Sequence, residues 1–210
     1  MNAELIKHII EAAVTFFVVV DPLGCVPLFL IATRGRSAAE MRAIATKAVL
    51  VSAAILIIFI LLGQIIFSYL GVGMDAFRIA GGLVLFVVSL KMILQAEPGG
   101  VSEDYASTHP NTGDPAVFPI ALPYIAGPGM IMAVVLQTDR TVYGPAEQVM
   151  IVGVLLAVLA LTWAILLGAA FFRRILGKTG IDVITRIMGM ILAALAIQTI
   201  LTGTSGYFGW

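Results

Sequence analysis

The sequence predicts an all-α, polytopic membrane protein: six transmembrane helices arranged as two inverted three-helix repeats, with helices 1 and 4 broken. Three observations lead there. The 210 residues are 60% hydrophobic and only 11% charged, at a mean hydropathy of +1.08, whereas a soluble domain carries about 25% charged residues. Six apolar stretches are each long enough to cross a bilayer, which takes about 20 helical residues, and none alternates as barrel strands do. Two of the six are interrupted by proline at matching places.

Span 1 covers 9–32 and reads Phe17-Val-Val-Val-Asp21-Pro22-Leu-Gly24-Cys-Val-Pro27. An apolar run this long, holding Asp21-Pro22 and lacking a small-residue cleavage site, reads as a span and not as a cleaved leader. Spans 2 and 3 cover 45–67 and 77–95. Residues 96–115 mix Glu97, Glu103, Asp104 and Asp114 with Pro, Gly, Ser and Thr, and read as a solvated linker between units 1–95 and 116–210. Span 4 covers 116–137 and reads Phe118-Pro119-Ile-Ala-Leu-Pro123-Tyr-Ile-Ala-Gly127-Pro128-Gly129. Spans 5 and 6 cover 148–172 and 186–204.

The two units match in series. Phe17, Pro22 and Pro27 recur as Phe118, Pro123 and Pro128; Leu70-Gly71 recurs as Leu176-Gly177, and Gly73-Met74-Asp75 as Gly180-Ile181-Asp182. Arg78 and Gly81 recur as Arg186 and Gly189, so the offset grows from 101 to 108 residues. Three helices is an odd number, so the copy is threaded through the membrane in the opposite direction. Broken spans 1 and 4 then meet near the midplane, the pattern of a transporter binding site. The alternative is a duplicated bundle whose kinks serve packing alone. Gly63, Gly81, Gly82, Gly153, Gly168 and Gly189 are expected where helix backbones approach closely.

Nine basic residues fall on one side of this topology: Arg34, Arg36, Arg42, Lys47, Lys91, Arg173, Arg174, Lys178 and Arg186. Three, Lys7, Arg78 and Arg140, fall on the other. Basic loops stay in the cytoplasm, which places both termini on the non-cytoplasmic side.

Asp21 is the only formally charged side chain at mid-depth in the six spans, and an acid there marks a functional site by default. Three roles fit it: capping the half-helix that starts at Pro22, binding a coupling cation or a substrate ammonium, or carrying a proton. Prolines at 22, 27, 123 and 128 predict freed carbonyls on Val18, Leu23, Pro119 and Tyr124. Val18 and Leu23 join Asp21 as candidates for the coupling ion. The amides after Gly24 and at Gly129-Met130 start new half-helices and suit a carboxylate. Gly127-Pro128-Gly129 adds close backbone access. Donors and acceptors in one place suit a zwitterion. The candidate substrate site is therefore Asp21, Pro22, Gly24, Pro27, Pro123, Tyr124, Gly127, Pro128 and Gly129. Gln137, Thr138, Gln198, Thr199 and Thr202 add the remaining polarity in or beside the spans.

Other classes fit poorly. The formal charge is zero with no basic cluster, which argues against nucleic acid. Cys25 is the only cysteine, so no internal disulfide forms. His8 and His109 are too scattered for a metal site, no cofactor motif is present, and no phosphate-binding loop encodes direct ATP drive. An intramembrane aspartyl protease needs two acids at depth, and only Asp21 is there. The oligomeric state is left open.

Asp-Pro-Leu-Gly-x-x-Pro-Leu-Phe at 21–29 and Pro-Ile-Ala-Leu-Pro-x-x-Ala-Gly-Pro-Gly at 119–129 resemble the MarC family of six-span bacterial and archaeal membrane proteins. The length and the Arg-x-x-Gly starts of spans 3 and 6 are similar too. The resemblance implies a cytoplasmic (inner) membrane protein that transports small neutral amino acids such as alanine and glycine, as SnatA-type members do. A proton or sodium gradient is the expected drive for such a secondary transporter. A non-transporting accessory or scaffold protein, of the kind linked to antibiotic-resistance loci, is the alternative the resemblance carries.

Overall fold

A computed structural model of the chain describes residues 3–94, 114–140 and 142–209. The linker expected at 96–115 lies outside the described residues except for Asp114 and Pro115. The elements are α1 (Ala3–Val20), α2 (Cys25–Ala32), α3 (Ala38–Tyr69), α4 (Met74–Leu94), α5 (Ala116–Ile125), α6 (Pro128–Gln137), α7 (Pro145–Leu167) and α8 (Ala169–Phe208). Four single helices are long and apolar enough to cross a membrane: Ala38–Phe67, Met74–Leu94, Pro145–Leu167 and Thr179–Phe208. The other two spans are bent pairs, α1 with α2 at 42° and α5 with α6 at 53°. The spans expected to break are the ones that do.

Each break follows from local chemistry, but the two breaks differ. In span 1, Pro22 removes an amide from the helix ladder, and Asp21 turns the chain at φ +43°, a left-handed conformation that Asp tolerates better than most residues. Pro22–Gly24 form a turn and α2 starts at Cys25. Pro27 does not interrupt α2, because it occupies the first turn, where its amide would have no intrahelical partner.

In span 4, Phe118 (φ −132°, ψ 121°) and Leu122 (φ −122°, ψ 130°) are pushed to extended backbone because a following proline disfavours the helical region. These residues loosen α5 without ending it. The chain bends later, at Ala126–Gly127, and Pro128 opens α6 at the first helical position, where its fixed φ and missing amide fit. Of the matched pairs, Pro22 lies at its bend while Pro123 lies in an irregular helix, and Pro128 opens α6 while Pro27 sits within the first turn of α2.

The remaining boundaries are set by caps. Ser37 starts α3 with a reciprocal cap: its amide donates to Glu40 Oε2 (2.8 Å), and the Glu40 amide donates to Ser37 Oγ (3.3 Å). Span 5 ends at Leu167, short of the expected 172, because Gly168 caps α7. Gly71 and Gly177, matched in the sequence series, both adopt left-handed backbone at φ +68° and +64°. The break at Gly177 makes Thr179 the start of the sixth span, earlier than the expected 186.

Span 1 packs on span 5 as span 2 packs on span 4, and span 3 packs on span 4 as span 6 packs on span 1. Span 3 lies along span 6 in the most extensive interface. A Cβ on Gly82 would meet the Ala196 carbonyl at 2.8 Å, one on Gly189 the Met92 side chain at 2.8 Å, and one on Gly203 the Asp75 carbonyl at 2.8 Å. These three contacts run in opposite senses along the two helices, so spans 3 and 6 are antiparallel. Gly153, expected at a close approach, has open space instead. Phe16, Phe29, Leu56, Ile120, Met130 and Leu155 fill the centre, while large apolar side chains such as Leu50, Leu61, Val149 and Ile175 face outward, as a lipid solvent allows.

Polar ties cluster at the two ends of the bundle. At one end, His8 Nε2 and Gln137 Oε1 lie 3.0 Å apart, and the His8 ring stacks on Tyr143 at 3.7 Å. There Gln64 donates to the Thr138 carbonyl (2.8 Å), and Arg78 donates to Asp75 and Asp139, each at 3.1 Å. At the other end, Trp163 Nε1 donates to Thr46 (3.0 Å), and Lys47 pairs with Asp114. The start of α1 therefore meets the end of α6, so the two broken spans run antiparallel. The start of α1 and the end of α8 lie at the same face.

Candidate functional site

The breaks of spans 1 and 4 meet. α2 packs on α5 and α1 on α6, and a Cβ on Gly129 would sit 3.7 Å from Val19, two residues before Asp21. At the centre is Asp21, 4% exposed. Its Oδ1 accepts the Gly24 amide at 3.2 Å, and its carbonyl accepts the Cys25 amide at 3.0 Å. Asp21 thus caps the turn leading into α2. Its second carboxyl oxygen, Oδ2, is buried with no hydrogen-bond partner. Leaving such an oxygen unmatched in a dry interior costs roughly 1–3 kcal/mol, more if it is charged.

Gly24 makes room for that carboxyl. A Cβ there would overlap Asp21 Oδ2 and lie 2.9 Å from the Tyr124 hydroxyl. Tyr124, from α5, therefore shares one small volume with Asp21, as the sequence pattern predicts. Cys25 is fully buried beside them. Thr185, from α8, approaches the same carboxyl but misses hydrogen-bond geometry with it, and its buried hydroxyl has no other partner. Sequence reasoning missed Thr185, because a single hydroxyl near a helix start carries no spacing signal; only the packing of α8 on α1 and α2 brings it in.

The backbone groups divide differently from expectation. The Leu23 carbonyl is not freed by Pro27 but accepts the Val26 amide at 3.1 Å, because the turn before α2 closes on it. The donors expected just after Gly24 are also used: Cys25 bonds to Asp21, Val26 to Leu23, and Pro27 has none. Donors for an anion are thereby left to the first turn of α6, at Gly129 and Met130. Val18 is buried at 2% exposure, ahead of the bend. Gly127 is needed for the bend itself, since a Cβ there would overlap the Pro123 carbonyl oxygen. Pro22 is buried and Pro128 exposed. Gly129 lets α6 approach Leu85 of span 3, whose side chain is 3.1 Å from the position of a Cβ.

The chain was compared with known proteins over its whole length. It is 38% identical over 208 residues to the UPF0056 membrane protein YvbG of Bacillus subtilis, covering 97% of each chain. A UPF0056 membrane protein of Methanocaldococcus jannaschii is 32% identical, with 96% of this chain and 98% of the relative covered. The UPF0056 inner membrane protein YhgN of Escherichia coli is 30% identical, over 94% of this chain and 96% of the relative. No solved structure matches. The family model for MarC family integral membrane proteins matches residues 6–208. With its span pattern and both proline-broken spans inside that match, the chain belongs to the MarC family of integral membrane proteins.

Proposed function

We propose that this protein is a secondary transporter of small neutral amino acids, of alanine or glycine size, coupled to a proton or sodium gradient. One observation carries the reading: an acidic side chain, buried at the junction of three spans, keeps one carboxyl oxygen unmatched where two helices are broken. In hydrocarbon, irregular backbone is tolerated where it is enclosed by protein or lines a cavity, and broken helices that meet near mid-depth are the transporter arrangement. Asp21 Oδ2 and the Tyr124 hydroxyl crowd together over Gly24, a setting that favours a small solute over a lipid or an aromatic drug. The amides of Gly129 and Met130 supply the carboxylate end. The protein acts as a carrier and not as an enzyme.

Two inverted repeats give the carrier its two faces. Support comes from the exchanged pairing of the spans, the antiparallel course of spans 1 and 4, and the shared left-handed glycines at 71 and 177. In this reading the face with nine basic residues is cytoplasmic and both termini lie on the other side.

Reconstitution tests it. Proteoliposomes should take up labelled alanine or glycine when a proton or sodium gradient is imposed, and Gly24→Ala should lower that uptake at least tenfold. Uptake equal to that of protein-free vesicles under both gradients would leave the accessory or scaffold reading in its place.

A further inference from the structure

Three oxygens from three different spans converge on one point of this molecule. Asp21 Oδ2 comes from the bend of span 1, Tyr124 Oη from the loosened helix of span 4, and Thr185 Oγ1 from span 6. The first and third lie close enough to act on each other but miss hydrogen-bond geometry, and both are buried with no other partner. The missing side chain at Gly24 lets Asp21 Oδ2 settle where a Cβ would be, beside the Tyr124 hydroxyl. Buried polar groups are generally matched, so two such oxygens side by side call for a shared ligand. A carboxylate oxygen accepts, each hydroxyl keeps lone pairs to accept with besides its own O–H, and an ammonium group has three donors to give.

We propose that Asp21 Oδ2, Thr185 Oγ1 and Tyr124 Oη form a seat for a small monovalent cation, either the ammonium group of an amino acid or a sodium ion. The seat takes its purpose from the carrier reading, but its existence rests on the geometry alone. It makes span 6 a direct part of the site. Because Thr185 lies on a helix packed along span 3, occupancy of the seat ties the bend of span 1 to the span 3–span 6 pair. Asp21 is divided between two tasks: Oδ1 holds the turn and Oδ2 holds the cation.

The test is thermal unfolding of the purified full chain in detergent. Methylammonium chloride or sodium chloride is titrated against tetramethylammonium chloride, which has no N–H donor and is too bulky to sit among the three side chains. At least one of the two small cations should raise the unfolding midpoint saturably, and the one that does identifies the source. Thr185→Val keeps the side-chain shape without the hydroxyl and should raise the half-saturating concentration about tenfold, equivalent to about 1.4 kcal/mol. Thr185→Ser should restore it. Tyr124→Phe provides a second variant with the same expected direction. The seat is overturned if neither small cation differs from tetramethylammonium. It is equally overturned if half-saturation is unchanged in Thr185→Val, or in Tyr124→Phe where only that variant folds. A cation response without amino acid uptake in vesicles removes the carrier and leaves the seat; uptake without the response does the reverse.

Discussion

Arg78 reaches across 61 positions of sequence to donate from Nη2 to Asp139 Oδ2 at 3.1 Å, joining the N-terminal part of α4 to the segment after α6. Asp139 is 0% exposed, and Arg78 also holds Asp75, against which Gly206 at the end of α8 packs. One guanidinium therefore fastens spans 3, 4 and 6 at the face where the chain begins and ends.

Removing that guanidinium strands acidic groups in a confined place. Breaking a buried ion pair by deleting one partner costs about 3–5 kcal/mol, and replacing both partners with apolar groups costs far less. Arg78 is partly exposed, so the lower part of that range applies. Arg78→Met should lower the unfolding midpoint of the purified protein by several degrees, and Arg78→Met with Asp139→Leu should regain much of the loss. A double variant as unstable as the single one would mean that the tie is not an ion pair in effect.

Asp21 and Gly24 should separate structure from function. Asp21→Asn keeps an acceptor for the Gly24 amide and tolerates φ +43°, so it should fold with stability near that of the native chain and lose gradient-driven uptake. Asp21→Ala gives up the cap and strains the turn, at about 1–3 kcal/mol. Comparing both by thermal unfolding and by uptake assigns the capping oxygen and the free oxygen their separate roles.

Gly127→Ala should be the more damaging of two neighbouring substitutions. Its Cβ would overlap the Pro123 carbonyl oxygen, a backbone atom that cannot step aside, and overpacking of this kind costs about 1–3 kcal/mol. Pro128→Ala retains a helical residue at the first position of α6 and should cost under about 1 kcal/mol. Unfolding midpoints measured side by side would reveal the reverse order if the bend were set by Pro128 alone.

Asp114 gives the second half a pH-sensitive start. Its carboxyl is held below the usual carboxylate range by the Lys47 ammonium first and by the Ala116 amide second. A depressed folded-state pKa adds stability above the unfolded value, near pH 4, and that stability is lost as pH falls through the folded value. The pair is substantially exposed, so the effect is small. Between pH 6 and pH 3 the unfolding midpoint of Asp114→Asn should fall less than that of the native chain.

Two classes of statement come out of this chain, divided by the range of the forces involved. Apolar length, the proline positions and the Lys and Arg distribution are written residue by residue, because a helix in lipid satisfies its own backbone and each span is an almost independent unit. The four long apolar helices and the choice of stretches 1 and 4 as the broken ones were therefore legible. So were Asp21 and Tyr124 as neighbours, through the matched proline motifs. Other outcomes depended on atoms far apart in the chain. The turn before α2 consumed the Leu23 carbonyl and the Cys25 and Val26 donors that the proline rule had left free. Packing of α8 on α1 and α2 brought Thr185 to Asp21, and the end of α6 brought Asp139 to Arg78. By itself the sequence determined the spans and where they bend. Only the tertiary structure decided which side chains share a space, because helix-to-helix contact in a bilayer is set by small residues and scattered hydrogen bonds that leave no periodic trace along the chain.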